Sequence, residues 1–221
     1  MTTLASAPVA PLLDRLFAEA DAASPLASPA FAALSDDQRQ RLMQSKEDYR
    51  ELYANLKEFA LPVSRETGRL LYMLGRATRA KSIVEFGTSF GLSTLHLAAA
   101  LRDNGGGRLI TSEFEPSKIV RARDNLVAGG LADLVEFREG DALQTLSGQL
   151  PEKVDLLLLD GAKSLYRDVL HLVEGRFRPG AVIVADNADY CPEYRDHVGS
   201  IANGYVTMPF GDDVELSIWL G

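Results

Sequence analysis

The chain has 221 residues, 46% of them hydrophobic, enough for one sizeable core or for a core with a helical appendage. A formal net charge of -8 works against a non-specific grip on DNA or RNA, which depends on Lys and Arg neutralising phosphates, and favours a small-molecule partner. The single cysteine, Cys191, excludes an internal disulfide, and the scattered His96, His171 and His197 form no Cys/His cluster with zinc spacing.

Residues 1–34 are rich in Ala, Pro and Ser, with a short helical pattern near 11–20, and are expected to form a flexible or loosely docked arm. The start lacks the basic region of a secretion signal, and no stretch reaches the roughly 18 uncharged apolar residues of a membrane helix. A cytoplasmic protein with no membrane contact is expected. From Ser35, a plausible N-cap, mixed charged and apolar residues at helical spacing predict one long amphipathic helix up to Pro62. Its basic residues Arg39, Arg41, Lys46, Arg50 and Lys57 read as a solvated face. "SRETGRLLYMLGRAT" predicts a second helix.

From Lys81 strands and helices alternate: "SIVEF" then "LSTLHLAAAL", "RLITSE" then "PSKIVRARDNLVAGG", "LVEFRE" then the short "DALQTL", "VDLLLLD" then "SLYRDVLHLVEGRF", and "GAVIVAD" then a helix over 193–200. Successive βα units imply a parallel sheet with right-handed crossovers and helices on both faces. "YVTMPF", "GDD" and "VELSIWLG" break that rhythm and predict a closing hairpin, so the sheet ends with an antiparallel strand. The organisation expected is an arm at 1–34, N-terminal helices at 35–80 and an α/β core at 81–221.

In open α/β sheets the ligand crevice lies beyond the carboxyl ends of the strands. "VEFGTSFGLST" follows the first strand there, with Gly87 and Gly91 spaced for a tight turn but without the G-x-G-x-x-G of a pyrophosphate loop or the Gly-Lys-Ser/Thr of a P-loop. Glu85, Gly87, Ser89, Gly91 and Ser93 are its candidate cofactor contacts, and Ser93 would place a hydroxyl near a helix N-terminus that suits a carboxylate. Glu113 ends the second strand, where an acid accepts hydrogen bonds from ribose hydroxyls. Gly140, Asp141 and Ala142 end the third, facing an adenine edge. A nucleoside without phosphates fits these positions, and S-adenosylmethionine is such a ligand.

Asp160 and the pair Asp186 and Asn187 end the fourth and fifth strands, so two carboxylates and an amide oxygen converge on one rim. Three oxygen donors suit a hard cation such as Mg²⁺, which would hold a phenolic oxygen in line with a methyl group. Lys163, near the start of the next helix, is the candidate base; desolvation and a neighbouring cation are expected to lower its pKa. Acids at these positions also serve as plain helix N-caps, and an isolated lysine is commonly solvated. Their joint occurrence favours chemistry.

"VEFGTSFGLST", Glu113 in "SE", "EGDAL", "LLLLDGAK" and "VIVADN" resemble, in order and spacing, the cation-dependent class I O-methyltransferases, the family of catechol and caffeoyl-coenzyme A O-methyltransferases. The likeness covers about residues 45–221. It implies a Rossmann-like fold with a seven-stranded, mostly parallel sheet, an antiparallel C-terminal strand and helices on both faces. It implies Asp160, Asp186 and Asn187 as Mg²⁺ ligands, Lys163 as catalytic base, Glu113 at the ribose, Ser93 near the methionine carboxylate, and Asp160 also at the cofactor's amino group. Val63 and Ser64 fall where the family's segment before the core covers the methionine end. The N-terminal helices would serve as a lid or a homodimer contact. Two departures stand out: "DGAK" lacks the second acid of the plant-type motif, and "NGYVTMPF" lacks the acid with which the animal catechol enzyme holds the second hydroxyl. The expected reaction is methyl transfer to a small catechol-like or phenolic acceptor. A nicotinamide-dependent oxidoreductase would want a pyrophosphate loop. A non-catalytic nucleoside-binding protein would not need Asp160, Lys163, Asp186 and Asn187 together.

Overall fold

In the computed structural model, which describes residues 2–23, 33–211 and 213–221, the strands are β1 (Ser82–Phe86), β2 (Arg108–Glu113), β3 (Val135–Glu139), β4 (Val154–Leu159), β5 (Phe177–Ala185), β6 (Tyr205–Phe210) and β7 (Val214–Trp219). They form one seven-stranded sheet in the order β3-β2-β1-β4-β5-β7-β6. β1 to β5 pair parallel with one another, while β7 runs antiparallel to both β5 and β6. The order reverses between β1 and β4, which puts a crevice above the ends of those two strands. This is the Rossmann-like arrangement that the resemblance implies, closed by antiparallel strands at one edge.

The helices are α1 (Val9–Ala22), α2 (Asp36–Gln44), α3 (Tyr49–Asn55), α4 (Arg65–Ala77), α5 (Leu92–Asp103), α6 (Pro116–Ala128), α7 (Ala142–Thr145), α8 (Tyr166–Glu174) and α9 (Pro192–Val198). The aliphatic run of β4 explains how they are divided. Leu156 and Leu158 enter a core shared with α1, α4, α5 and α6, and Leu157 and Leu159 enter a second core shared with α8 and α9. Side chains of a strand alternate between faces, so an unbroken leucine run needs an apolar layer on each side. Each buried leucine contributes about 1.5–3 kcal/mol relative to an exposed one. Among the described residues no helix is long and apolar enough to cross a membrane.

Two expectations are corrected here. Where a loosely docked arm was expected, α1 buries Val9, Leu12, Leu13, Leu16 and Phe17 in the first core, and the Thr3 amide and hydroxyl donate to Asp103. The apolar spacing of α1 is that of a packed helix, and the surrounding Ala, Pro and Ser obscured it. The rest of the predicted arm, 24–32, lies outside the described residues. The predicted long helix is in fact α2 and α3, separated at Ser45 and followed by a turn and irregular chain up to Ser64. Ser45 Oγ accepts from the backbone amides of Glu47 (3.2 Å) and Asp48 (3.0 Å), a local turn that competes with helix continuation.

Candidate active site

Strand register builds the rim. The pairs Phe86↔Leu159 and Leu159↔Ala185 are the last between β1, β4 and β5, so the next residues, Gly87, Asp160 and Asp186, emerge side by side. The turn at Gly87 has φ of 99°, and a Cβ there would strike the Asp160 backbone, so only glycine lets the chains pass. Gly91, with φ of 84°, packs instead against Ala122 and Leu126 of α6, and its missing side chain serves helix packing.

A pocket opens over β1 and β2, lined by Gly87, Ser89, Glu113, Gly140, Asp141, Ala142 and Asp160, all from the sequence-derived candidates. Glu113 is oriented by two backbone donors: Ser89 N to Oε2 (2.8 Å) and Glu115 N to Oε1 (2.9 Å). A carboxylate so fixed still has lone pairs to offer vicinal hydroxyls. Asp141 caps α7 through Leu143 N (3.0 Å). Glu85 and Ser93 lie beneath this pocket: Ser93 Oγ and Thr94 Oγ1 donate to the fully buried Glu85 carboxyl at 2.6 and 2.7 Å. Burial pushes the Glu85 carboxyl up to about 7, against the pull of those hydroxyls. Val63 is packed into the first core, while Ser64 caps α4 through Thr67 N (2.9 Å); the neighbouring Leu61 lines the pocket and donates its amide to Ser89 Oγ.

At the edge of the pocket, Asp160 and Asp186 follow the paired strand ends Leu159↔Ala185, and each carboxyl influences the ionisation of the other. Burial and the Asp160 charge push the Asp186 carboxyl up to about 8. Lys163 Nζ donates to Asp160 Oδ1 (2.9 Å), Tyr166 OH (2.7 Å) and the Asp186 carbonyl (3.2 Å). Its pKa departs from the expectation. Burial acts to lower it, but the charges of Asp160 and Asp186 outweigh burial, and the ammonium is held above its ordinary range. One ammonium facing two buried carboxylates leaves the rim short of positive charge, and the shortfall surfaces as the raised Asp186. Oxygen donors short of positive charge fit a hard cation. Asn187 follows in left-handed backbone (φ 52°) and donates Nδ2 to Asp213 Oδ2 at 3.0 Å. Among the described residues no three His, Cys, Asp or Glu side chains gather closely enough to hold a metal, so a third donor beside the two aspartates would be this amide.

Several contributors escaped the sequence reading. Tyr49 and Tyr53 of α3 face the pocket, with Tyr53 OH donating to the Gly161 carbonyl (3.4 Å) and its hydroxyl pushed up to about 12 by burial. Arg50 of the same helix reaches over to Asp141 Oδ2 (2.7 Å), and Lys46 bridges Asp168 (3.0 Å) and Glu193 (3.3 Å), so part of the supposedly solvated face ties α3 and its flank to the core. Tyr49, Leu52, Tyr53 and Leu56 recur at helical spacing, the one signal that could have marked a covering face. Phe114 and Lys118 also line the pocket.

Comparison with known proteins identifies methyltransferase relatives. Residues 84–188 match a family model described as a methyltransferase domain. The chain is 37% identical over 131 residues to a catechol O-methyltransferase of Niastella koreensis, covering 58% of each chain. It is 33% identical over 182 residues to catechol O-methyltransferase B of Danio rerio, covering 75% of this chain and 68% of that one. The match spans only 58% and 57% of the length of the relatives from Niastella koreensis and Mycobacterium tuberculosis. Among solved structures, the O-methyltransferase TomG of Streptomyces achromogenes, in complex with SAM, superposes with a TM-score of 0.63 at 25% identity over 86% of this chain and 92% of that one. An O-methyltransferase of Bacillus cereus, in complex with SAH, shares the fold with a TM-score of 0.67 at 23% identity, over 94% and 99% of the two chains.

Proposed function

This chain belongs to the cation-dependent class I O-methyltransferases, and we propose that it moves the methyl group of S-adenosylmethionine to a hydroxyl of a small catechol-like or phenolic acceptor held on a divalent cation. The observation that carries the reading is the rim: Asp160, which lines the same pocket as Glu113, emerges beside Asp186 at paired strand ends and carries Lys163. In this reading Glu113 takes the ribose hydroxyls and the turn of Gly140, Asp141 and Ala142 takes the adenine. Asp160, Asp186 and Asn187 would hold Mg²⁺ or a like ion, which would supply Lewis acidity to the acceptor hydroxyl.

Lys163 is the proposed base. It is kept as an ammonium by Asp160, so its amine becomes available only where that carboxylate's charge is compensated by something else. Tyr166 OH, which donates to the Asp186 carbonyl (2.8 Å) and accepts from Lys163, fixes the lysine's position. Tyr53 and Leu61 line the pocket, where their side chains would shield a bound acceptor from water.

The test incubates the protein with S-adenosylmethionine and a panel of catechols and simple phenols, with and without EDTA, and reads methylated product by mass spectrometry. Product formation abolished by EDTA and restored by Mg²⁺ is expected. Turnover undiminished by EDTA would remove the cation from the reading. In Lys163→Ala a fall in kcat of about 10²–10⁴-fold is expected from loss of the base. A variant with undiminished kcat would assign the proton elsewhere.

A further inference from the structure

We infer that Asp213, in the turn between β6 and β7, is a positioning residue that decides which way the Asn187 amide faces, and so sets the affinity of the rim for a divalent cation. The inference rests on the cation reading above.

Strand register brings the two residues together. β5 and β7 pair antiparallel with Ala185↔Glu215, so the chain just before β7 passes the residues just after β5. Ala188 N donates to the Asp213 carbonyl at 2.8 Å, and Asn187 Nδ2 donates to Asp213 Oδ2 at 3.0 Å. The first bond needs only backbone. The second needs the carboxylate. An amide has one donating and one accepting end, whereas an ionised carboxylate only accepts. Asp213 therefore claims the NH₂ group and leaves Oδ1 as the end free for other partners. Rotating the amide by half a turn would set Oδ1 against a carboxylate oxygen.

The orientation matters because a cation takes oxygen, never the NH₂ of an amide. Asp213 does not itself join the acids into a metal-holding group, as no three such side chains gather among the described residues. It acts through the amide. Groups that orient metal ligands in this way typically change affinity about 10–100-fold when removed.

The experiment titrates the full chain with Mn²⁺ alone, reading free Mn²⁺ by electron paramagnetic resonance, and measures S-adenosylhomocysteine binding on the same samples as a control for the intact fold. Asp213→Ala keeps the backbone bond to Ala188 and is expected to weaken Mn²⁺ binding about 10–100-fold. In an Asn187→Ala background the same change should add nothing. In an Asn187→Asp background both ligand oxygens are equivalent and Asp213 only repels the new carboxylate, so Asp213→Ala should tighten Mn²⁺ binding. A merely structural role for the turn would not reverse sign. Parent-like affinity in Asp213→Ala, or equal losses in all three backgrounds, would overturn the inference while leaving the cation reading standing. A parent protein that binds S-adenosylhomocysteine but no Mn²⁺ would overturn both.

Discussion

Glu85 gives the sharpest test of the buried electrostatics beneath the pocket. Its carboxyl is fully buried at the end of β1, accepts from Ser93 and Thr94, and is pushed up by burial from its ordinary 4.5 to about 7. The unfolded chain gives up this proton near the ordinary value, while the folded protein keeps it until about pH 7. Between those limits the native state binds more protons than the unfolded one, so stability falls as pH rises. The contribution is fully present below the unfolded pKa and lost above the folded one. The shift corresponds to on the order of 3 kcal/mol. Glu85→Gln cannot ionise, retains an oxygen to accept one of the hydroxyls, and leaves every other titrating group in place. Urea unfolding of parent and variant from about pH 5 to about pH 8 should therefore give a difference in stability that changes in the parent's disfavour by roughly that amount, then levels off. Parallel pH profiles for the two proteins would show that Glu85 keeps an ordinary pKa in the fold, and the assignment of burial as the dominant influence would be wrong.

Two further outcomes follow from the segment that precedes the sheet. Phe17→Ala, which empties a buried position in α1, should cost about 3–5 kcal/mol in denaturant unfolding, and a loss near zero would show α1 to be dispensable. Arg50→Ala removes the ion pair from α3 to Asp141 and should speed S-adenosylhomocysteine release in stopped-flow, as added salt should in the parent; off-rates insensitive to both would separate this pair from cofactor retention.

The core strands were legible because their physics is local. An aliphatic run bounded by turn residues has few alternatives to a buried strand, and "SIVEF", "RLITSE" and "YVTMPF" coincide with β1, β2 and β6. The juxtaposition of Asp160 with Asp186 was equally legible, since adjacent parallel strands in register must end together. The segment at 35–60 was not. Its apolar spacing suits a helix throughout, and only the Ser45 hydroxyl, choosing its own neighbours' amides over the helix, divides it. Asp213 was hidden for a different reason: its approach to Asn187 depends on how an antiparallel strand returns beside β5, and the hairpin alone does not fix which strand it joins.

Lys163 shows where spacing stops and the field of the whole site takes over. A lysine three residues after an acid, at the start of a helix, reads as a desolvated amine, and desolvation is indeed the largest influence on it. Yet the residues that reverse the outcome come from β4, α3 and the end of β5: Asp160, Tyr53 and Asp186 together favour the ammonium. The same burial that should free the amine also strengthens its attraction to those acids, because both effects grow as water is excluded. Burial of a lysine therefore has no fixed sign until the charges buried with it are counted. Here the two acids outweigh desolvation, and the base proposed for the reaction is one whose proton is released by neutralising its neighbours rather than by drying its surroundings.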